Sequence, residues 1–177
     1  MKKDLKKWLS VFMAVLLCFG ILPSSAFAEE YADGYISMID HRGRGYSLSS
    51  SLPSPFGGIS SEGFLEMRIN DLRAFRTAYC IEFGVETYAA QGYEVSDDYA
   101  AFTKEQKSLI NTALTLGYNV ETGTKYGGSA IDEYIATQTL IWLIAHNQLG
   151  TAYEEAIVDG LTANSPAAKT IFGKLRE

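Results

Sequence analysis

Two side chains in this 177-residue chain carry chemistry that their neighbours do not account for, Cys80 and Gln138. Cys80 is one of two cysteines, and the other, Cys18, lies in an amino-terminal stretch that reads as removable. A lone cysteine in an exported chain has no internal disulfide partner. It is a small packing residue, a bridge to another chain, or a reactive thiol. Residues 75–83 alternate as a strand, with Phe75, Thr77, Tyr79, Ile81 and Phe83 on one face and Arg76, Ala78, Cys80 and Glu82 on the other. The thiol is therefore expected mid-strand, opposite the aromatic face, in a poor setting for packing alone.

Gln138 is out of place in a different way. Ile131, Tyr134, Ile135, Gln138, Ile141, Trp142 and Ala145 recur at the three-and-four spacing of a core-facing helical stripe. Leu140, Leu143 and Ile144 make the opposite side apolar too, so the helix is expected to be buried nearly all round. A primary amide in that setting has two donors and one acceptor to satisfy, and leaving it unpaired costs about 1–3 kcal/mol. Gln138 is either a hydrogen-bonded core glutamine or a reaction partner. A thiolate held against a carboxamide attacks its carbonyl carbon and expels ammonia, which leaves an internal thioester. That reaction needs a deprotonated sulfur, donors for the oxyanion and restricted water. The two residues are far apart in sequence, so the fold has to bring them together.

The elements that would do this follow from patterning. Lys2, Lys3, Lys6 and Lys7, an apolar run from Val11 to Leu22, and Ala26-Phe27-Ala28 have the order of a secretory signal, residues 1–28, leaving 29–177 as one domain. Twelve apolar residues rise only about 18 Å as a helix, too short to remain as an anchor. Leu17 before Cys18 argues against lipidation. Removing four lysines and one aspartate with that segment takes the net charge from −6 to −9, which excludes binding to nucleic acid or to anionic lipid. Strands are expected at 35–39, 64–69 and 75–83, with loops over 42–63 and 84–102. Helices are expected from a Thr103–Gln106 capping box to Gly117, from Ser129 to Gln148 or Leu149, over Ala152–Leu161, and from a Ser165 cap with Pro166 at the first helical position. The order is strands first, helices last, an α+β chain.

Tyr79-Cys80-Ile81-Glu82 and Thr137-Gln138-Thr139-Leu140-Ile141-Trp142 resemble the two signature stretches of the thioester domains of Gram-positive bacterial surface proteins and pilus tips. Thr103 to Tyr118, with Leu116-Gly117-Tyr118, resembles the helix between them. The resemblance implies a Cys80–Gln138 thioester, with Tyr79, Glu82, Thr137 and Trp142 in support, and a β-sandwich-like portion followed by a helical bundle. It implies a covalent adhesin, not an enzyme, displayed at the cell surface and attached through an amide to a lysine of a host surface or matrix protein. No cofactor is implied, and no membrane after signal cleavage. Residues up to Glu177 include neither the stalk domains nor the sorting motif usual for the family, so further stalk domains in a longer precursor are expected.

Two other readings remain open at this level. Cys80 with His146 as base, oriented by Asn147, would suit a secreted cysteine hydrolase acting on the cell wall. A noncovalent binding module with a silent cysteine needs neither reaction. His41 and His146, with no cysteine cluster, do not suggest a metal site.

Overall fold

The computed structural model describes residues 35–40, 52, 56, 65–70, 75–83 and 102–177. The chain divides into Met1–Ala32 and Asp33–Glu177, and every described residue belongs to the second unit. The signal reading of 1–28, and most of the loops expected over 42–63 and 84–102, lie outside the described residues.

Strands β1 (Tyr35–Asp40), β2 (Leu65–Asn70) and β3 (Phe75–Ala78) form an antiparallel sheet in the order β1-β2-β3. Tyr35 pairs with Asn70, and Met67 with Ala78. On β2 the period of two puts Glu66 and Arg68 on one face, where Arg68 Nε and Nη2 donate to Glu66 Oε1 at 2.9 and 2.7 Å. This is the only sheet among the described residues.

Four helices follow: α1 (Lys104–Leu116), α2 (Ala130–Ala145), α3 (Glu154–Leu161) and α4 (Pro166–Arg176). The expected capping box opens α1, with the Thr103 hydroxyl accepting from Gln106 N–H at 3.1 Å and Gln106 Oε1 accepting from Thr103 N–H at 3.0 Å. Ser129 and Asp132 form a second box on α2. Asp132 also accepts from the Ser165 hydroxyl at 2.5 Å, which joins the starts of α2 and α4. Ser165 in turn caps Ala168 N–H at 3.1 Å, and Pro166 follows as expected.

Helix α2 is the axis of the molecule. Every residue from Glu133 to Ile144 is buried, and α1, α3 and α4 all pack on it. Its apolar side chains join Ile110, Ile157, Leu161, Ile171 and Phe172 in one core. A fully buried Glu133 carboxylate at its start accepts from the backbone N–H of Lys125 at 2.7 Å and of Tyr126 at 2.6 Å, which pins the preceding loop. The Lys125 ammonium then reaches the carbonyls of Thr115 and Gly117, at 2.9 Å each, where α1 has no basic residue in its last turn.

Helix α2 ends at Ala145, earlier than the expected Gln148. Asn147 takes a left-handed conformation (φ 56°), so Gln148 N–H turns back to Leu143 O at 2.8 Å. Gln106, already the box residue of α1, donates through Nε2 to Ile144 O and Ala145 O at 3.1 and 3.2 Å. One side chain thus opens α1 and closes α2.

The end of α1 approaches α2 most closely at Gly117. A Cβ there would run into Thr137 Cγ2 and come within 2.6 Å of both Ala113 O and Thr137 Oγ1. Gly117→Ala is expected to lower stability by about 1–3 kcal/mol, the cost of overpacking. Thr137→Ser in the same chain removes the clashing methyl, so it should recover part of that loss. Urea midpoints of the two single variants and the double variant check the coupling.

Candidate functional site

A stripe spaced by four residues, three on α2 and the fourth at its C-cap, reads the segment 78–83. Tyr134 comes first. Its hydroxyl accepts from Met67 N–H at 3.2 Å and donates to Ala78 O at 3.1 Å, and its ring stacks on Tyr79 with centroids 4.9 Å apart. Gln138, one turn on, accepts from Cys80 N–H through Oε1 at 2.9 Å and donates through Nε2 to Cys80 O at 2.6 Å. Trp142 meets Phe83 edge to face at 4.7 Å. His146 accepts from Phe83 N–H through Nε2 at 3.3 Å. Four helical residues rise about 6 Å and two extended residues about 6.6 Å, so the two backbones stay in step from 134/78 to 138/80.

The ladder explains a correction to the strand. β3 ends at Ala78, not at Phe83, and Cys80 lies beyond it. Met67 and Ala78 face each other in the β2–β3 register, and the Tyr134 hydroxyl bridges them where strand pairing would continue. Past that point the Gln138 carboxamide takes over as the hydrogen-bonding partner of the Cys80 peptide. The strict alternation of faces lapses with the strand. Tyr79, Cys80, Ile81 and Phe83 all pack against the helical core, although period two would have sent Cys80 to the opposite side.

The supporting residues fall on two sides of the clamp. Thr137, fully buried, donates to Glu133 O at 2.7 Å and accepts from Tyr118 N–H at 3.0 Å. Tyr79 donates to Tyr118 O at 2.5 Å, and Val120 N–H donates to Thr77 Oγ1 at 2.8 Å. The segment after α1 is therefore stitched to both partners of the clamp, and the close approach at Gly117 makes this reach feasible. Glu82 is exposed, and its carbonyl, not its carboxylate, meets the thiol: Cys80 Sγ donates to Glu82 O at 2.9 Å. Phe56, fully buried, lies edge to face on Phe83 at 4.7 Å and on His146 at 5.3 Å.

A family model for the thioester domain matches residues 77–175, more than half of the chain. The chain belongs to the thioester-domain family. The matched stretch takes in the end of β3, Cys80, the whole of α1 and α2, and nearly all of α4. Neither the curated proteins nor the solved structures gave a match. As a family, thioester domains link covalently to protein targets and do not turn over substrate, and they are associated with surface proteins. No helix among the described residues of this thioester domain is long and apolar enough to cross a membrane, and no cluster there is fit to hold a metal ion.

Burial dominates the titration of the groups around the clamp in this thioester domain. Burial pushes the Cys80 thiol above its ordinary value, and a backbone hydrogen bond at Glu82 and the Trp142 indole N–H only partly oppose it. At neutral pH the sulfur is a thiol bonded to a carbonyl, with no imidazole in that bond. Burial also raises the Tyr79 and Tyr134 phenols far above the ordinary range, so both remain neutral donors. His146, the candidate base of the hydrolase reading, is half-buried, and its Nε2 is committed to Phe83. Phe56 and the buried carboxylate of Glu133 were not singled out in the sequence, and Tyr118 showed only as the end of a family-like stretch. Only Tyr134 and Trp142 showed in the apolar stripe as partners of Gln138.

His146 gives the site a pH dependence. Burial lowers its value below the ordinary 6.5, against the pull of Glu82. Between the folded and unfolded values the unfolded chain binds more protons, so the contribution of neutral His146 is complete above 6.5 and is lost as pH falls through the folded value. The urea midpoint should fall on acidification through that window. His146→Gln, which offers Phe83 N–H an uncharged acceptor, should flatten that part of the profile.

Proposed function

We propose that Cys80 and Gln138 condense to an internal thioester, and that the exported protein, residues 29–177, is a bacterial surface adhesin that uses this bond to attach covalently to a host surface or matrix protein. The observation that carries the reading is the two-point clamp, in which both hydrogen-bonding groups of the Gln138 carboxamide meet the peptide groups of Cys80 itself. The carbonyl carbon is thereby fixed next to the residue whose sulfur would attack it, and fixing reactants in this way is worth several kcal/mol of the barrier.

The chemistry follows from the same contacts. Attack of Sγ on the Gln138 side-chain carbonyl carbon forms the C–S bond and puts negative charge on Oε1, which already accepts from Cys80 N–H at 2.9 Å. The carbon–nitrogen bond then breaks, and the amide nitrogen leaves as ammonia with the thiol proton. A buried setting, with Gln138 only 2% exposed, keeps water from the acyl carbon. A target amine later attacks the same carbon, forms the amide and returns Cys80 as a thiol. A lysine side chain on the host protein is the nucleophile we favour, because an amine yields a stable amide that does not reopen. In this reading the three-stranded sheet belongs to the β-sandwich-like portion, and α1 to α4 are the helical bundle. The noncovalent partner surface that first holds the target, and any stalk domains, would serve to present the amine to this carbon.

The reading is tested by mass and by trapping. Purified mature protein is expected to be lighter than its sequence by one ammonia, and methylamine should add to it, with peptide mapping placing the adduct on Gln138. Cys80→Ala and Gln138→Ala should each restore full mass and abolish the adduct, and His146→Gln should keep both. A wild-type protein at full mass with a freely alkylated thiol would contradict the proposal.

A further inference from the structure

The β2–β3 register is constant: Asn70 faces Phe75, Arg68 faces Thr77 and Met67 faces Ala78. Carried two residues further, it sets Leu65, the first residue of β2, opposite Cys80. Along an antiparallel pair the peptide groups of alternate residues point inward, so 67/78 and 65/80 are pairs of one type. The type is plain at 67/78, where Met67 N–H and Ala78 O converge on the Tyr134 hydroxyl at 3.2 and 3.1 Å. In a continued ladder Cys80 N–H would therefore donate to Leu65 O, and Cys80 O would accept from Leu65 N–H. These are the same two groups that Gln138 Oε1 and Nε2 hold at 2.9 and 2.6 Å. One N–H cannot serve both partners in full, so the strand and the clamp compete for the Cys80 peptide.

We propose that the Tyr134 hydroxyl is a positioning residue for the condensation of Cys80 with Gln138: it ends β3 at Ala78 and so leaves the Cys80 peptide to the Gln138 carboxamide. This rests on the thioester reading above. The phenol is fully buried, its ring is stacked on Tyr79 at 4.9 Å, and its oxygen draws both inward groups of the last strand pair to itself. Donating and accepting at once is what a hydroxyl can do and a bare ring cannot. Without it, Met67 N–H and Ala78 O are left to satisfy each other in full, as buried backbone groups do, and pairing runs on to Leu65 and Cys80. The Gln138 acyl carbon then loses its place beside the sulfur. Tyr134 acts through the backbone of Ala78, and Gln138, one helical turn later, receives the peptide that Tyr134 has kept out of the sheet.

The test compares wild type, Tyr134→Phe and the double variant Tyr134→Phe with Leu65→Pro. Each mature chain is prepared unfolded in urea at full mass and diluted into buffer, and the loss of ammonia is followed by intact mass. Wild type should acquire the deficit, and Tyr134→Phe should acquire it about tenfold more slowly, the scale of one buried hydrogen bond. Proline is tolerated at the first residue of a strand; here it removes the N–H that Cys80 O would take in the longer ladder, so the double variant should recover rate. A loss of stability alone would be deepened by the proline, not repaired. NMR of Tyr134→Phe should show a close Hα–Hα contact between Glu66 and Tyr79, the pair between 67/78 and 65/80. If circular dichroism shows either altered chain to be unfolded, Gln138→Ala decides: with the hydroxyl present and the clamp gone, that contact should stay absent, and its appearance overturns the proposal. Tyr134→Phe condensing at the wild-type rate, or a folded double variant slower than the single one, overturns this proposal alone. A wild type that stays at full mass overturns the thioester reading, and this proposal with it.

Discussion

The carboxamide of Gln138 takes the place of a neighbouring strand for the peptide of Cys80, and much of the structure serves to make that substitution possible. Each of its two hydrogen bonds contributes only about 0.5–1.5 kcal/mol net, but breaking one strands a buried polar group at a cost of about 1–3 kcal/mol. The arrangement therefore tolerates little error. A glutamine can act in this way only from a helix whose surroundings exclude water, and α2 is buried from Glu133 to Ile144. Its two ends are tied by side chains, Asp132 with the serines of two helix caps at the start, and Gln106 from α1 with Asn147 at the finish. An axis tied at both ends holds Gln138 at a fixed height along the segment it clamps.

The four-residue spacing supplies the rest. Tyr134 stops the strand pairing, Gln138 holds Cys80, Trp142 packs on Phe83, and His146 holds the backbone of Phe83. A helix and an extended segment seldom keep register for long, because their rises per residue differ about twofold. Over this short stretch the bend at Ile81 and Glu82 absorbs the mismatch, and the same bend brings Glu82 O within reach of the thiol. The bend beyond the end of the strand is thus the feature that gives the sulfur its position. Membership of the thioester-domain family agrees with a site in which proximity, rather than a depressed thiol, is the main device.

Much of this was legible in the sequence, for reasons that can be traced residue by residue. The capping box at Thr103, the Ser165-Pro166 start and the fully apolar character of α2 are local signals, and local physics decides them. Gln138 stood out because a polar group interrupts an apolar stripe. The end of β3 did not show, because Tyr79, Ile81 and Phe83 keep the alternation of a strand while the partner that terminates it, Tyr134, comes from a helix more than fifty residues later. His146 showed in the sequence only as a candidate base for Cys80, because its partner, Phe83 N–H, is a backbone group that no composition reveals. The early end of α2 depends on Asn147 and on the second bond of Gln106, both decided by tertiary contact.

The account stands or falls on the chemical state of one carbon. Carbon-13 labelling of the glutamine side-chain carbonyls in the mature protein, read by NMR, observes that carbon without a trapping reagent. The account predicts one resonance displaced from the carboxamide group to the thioester region, absent from Gln138→Ala and returning to the amide region when methylamine is added. A spectrum in which Gln138 resonates among the other carboxamides, beside a free Cys80 thiol, would contradict it.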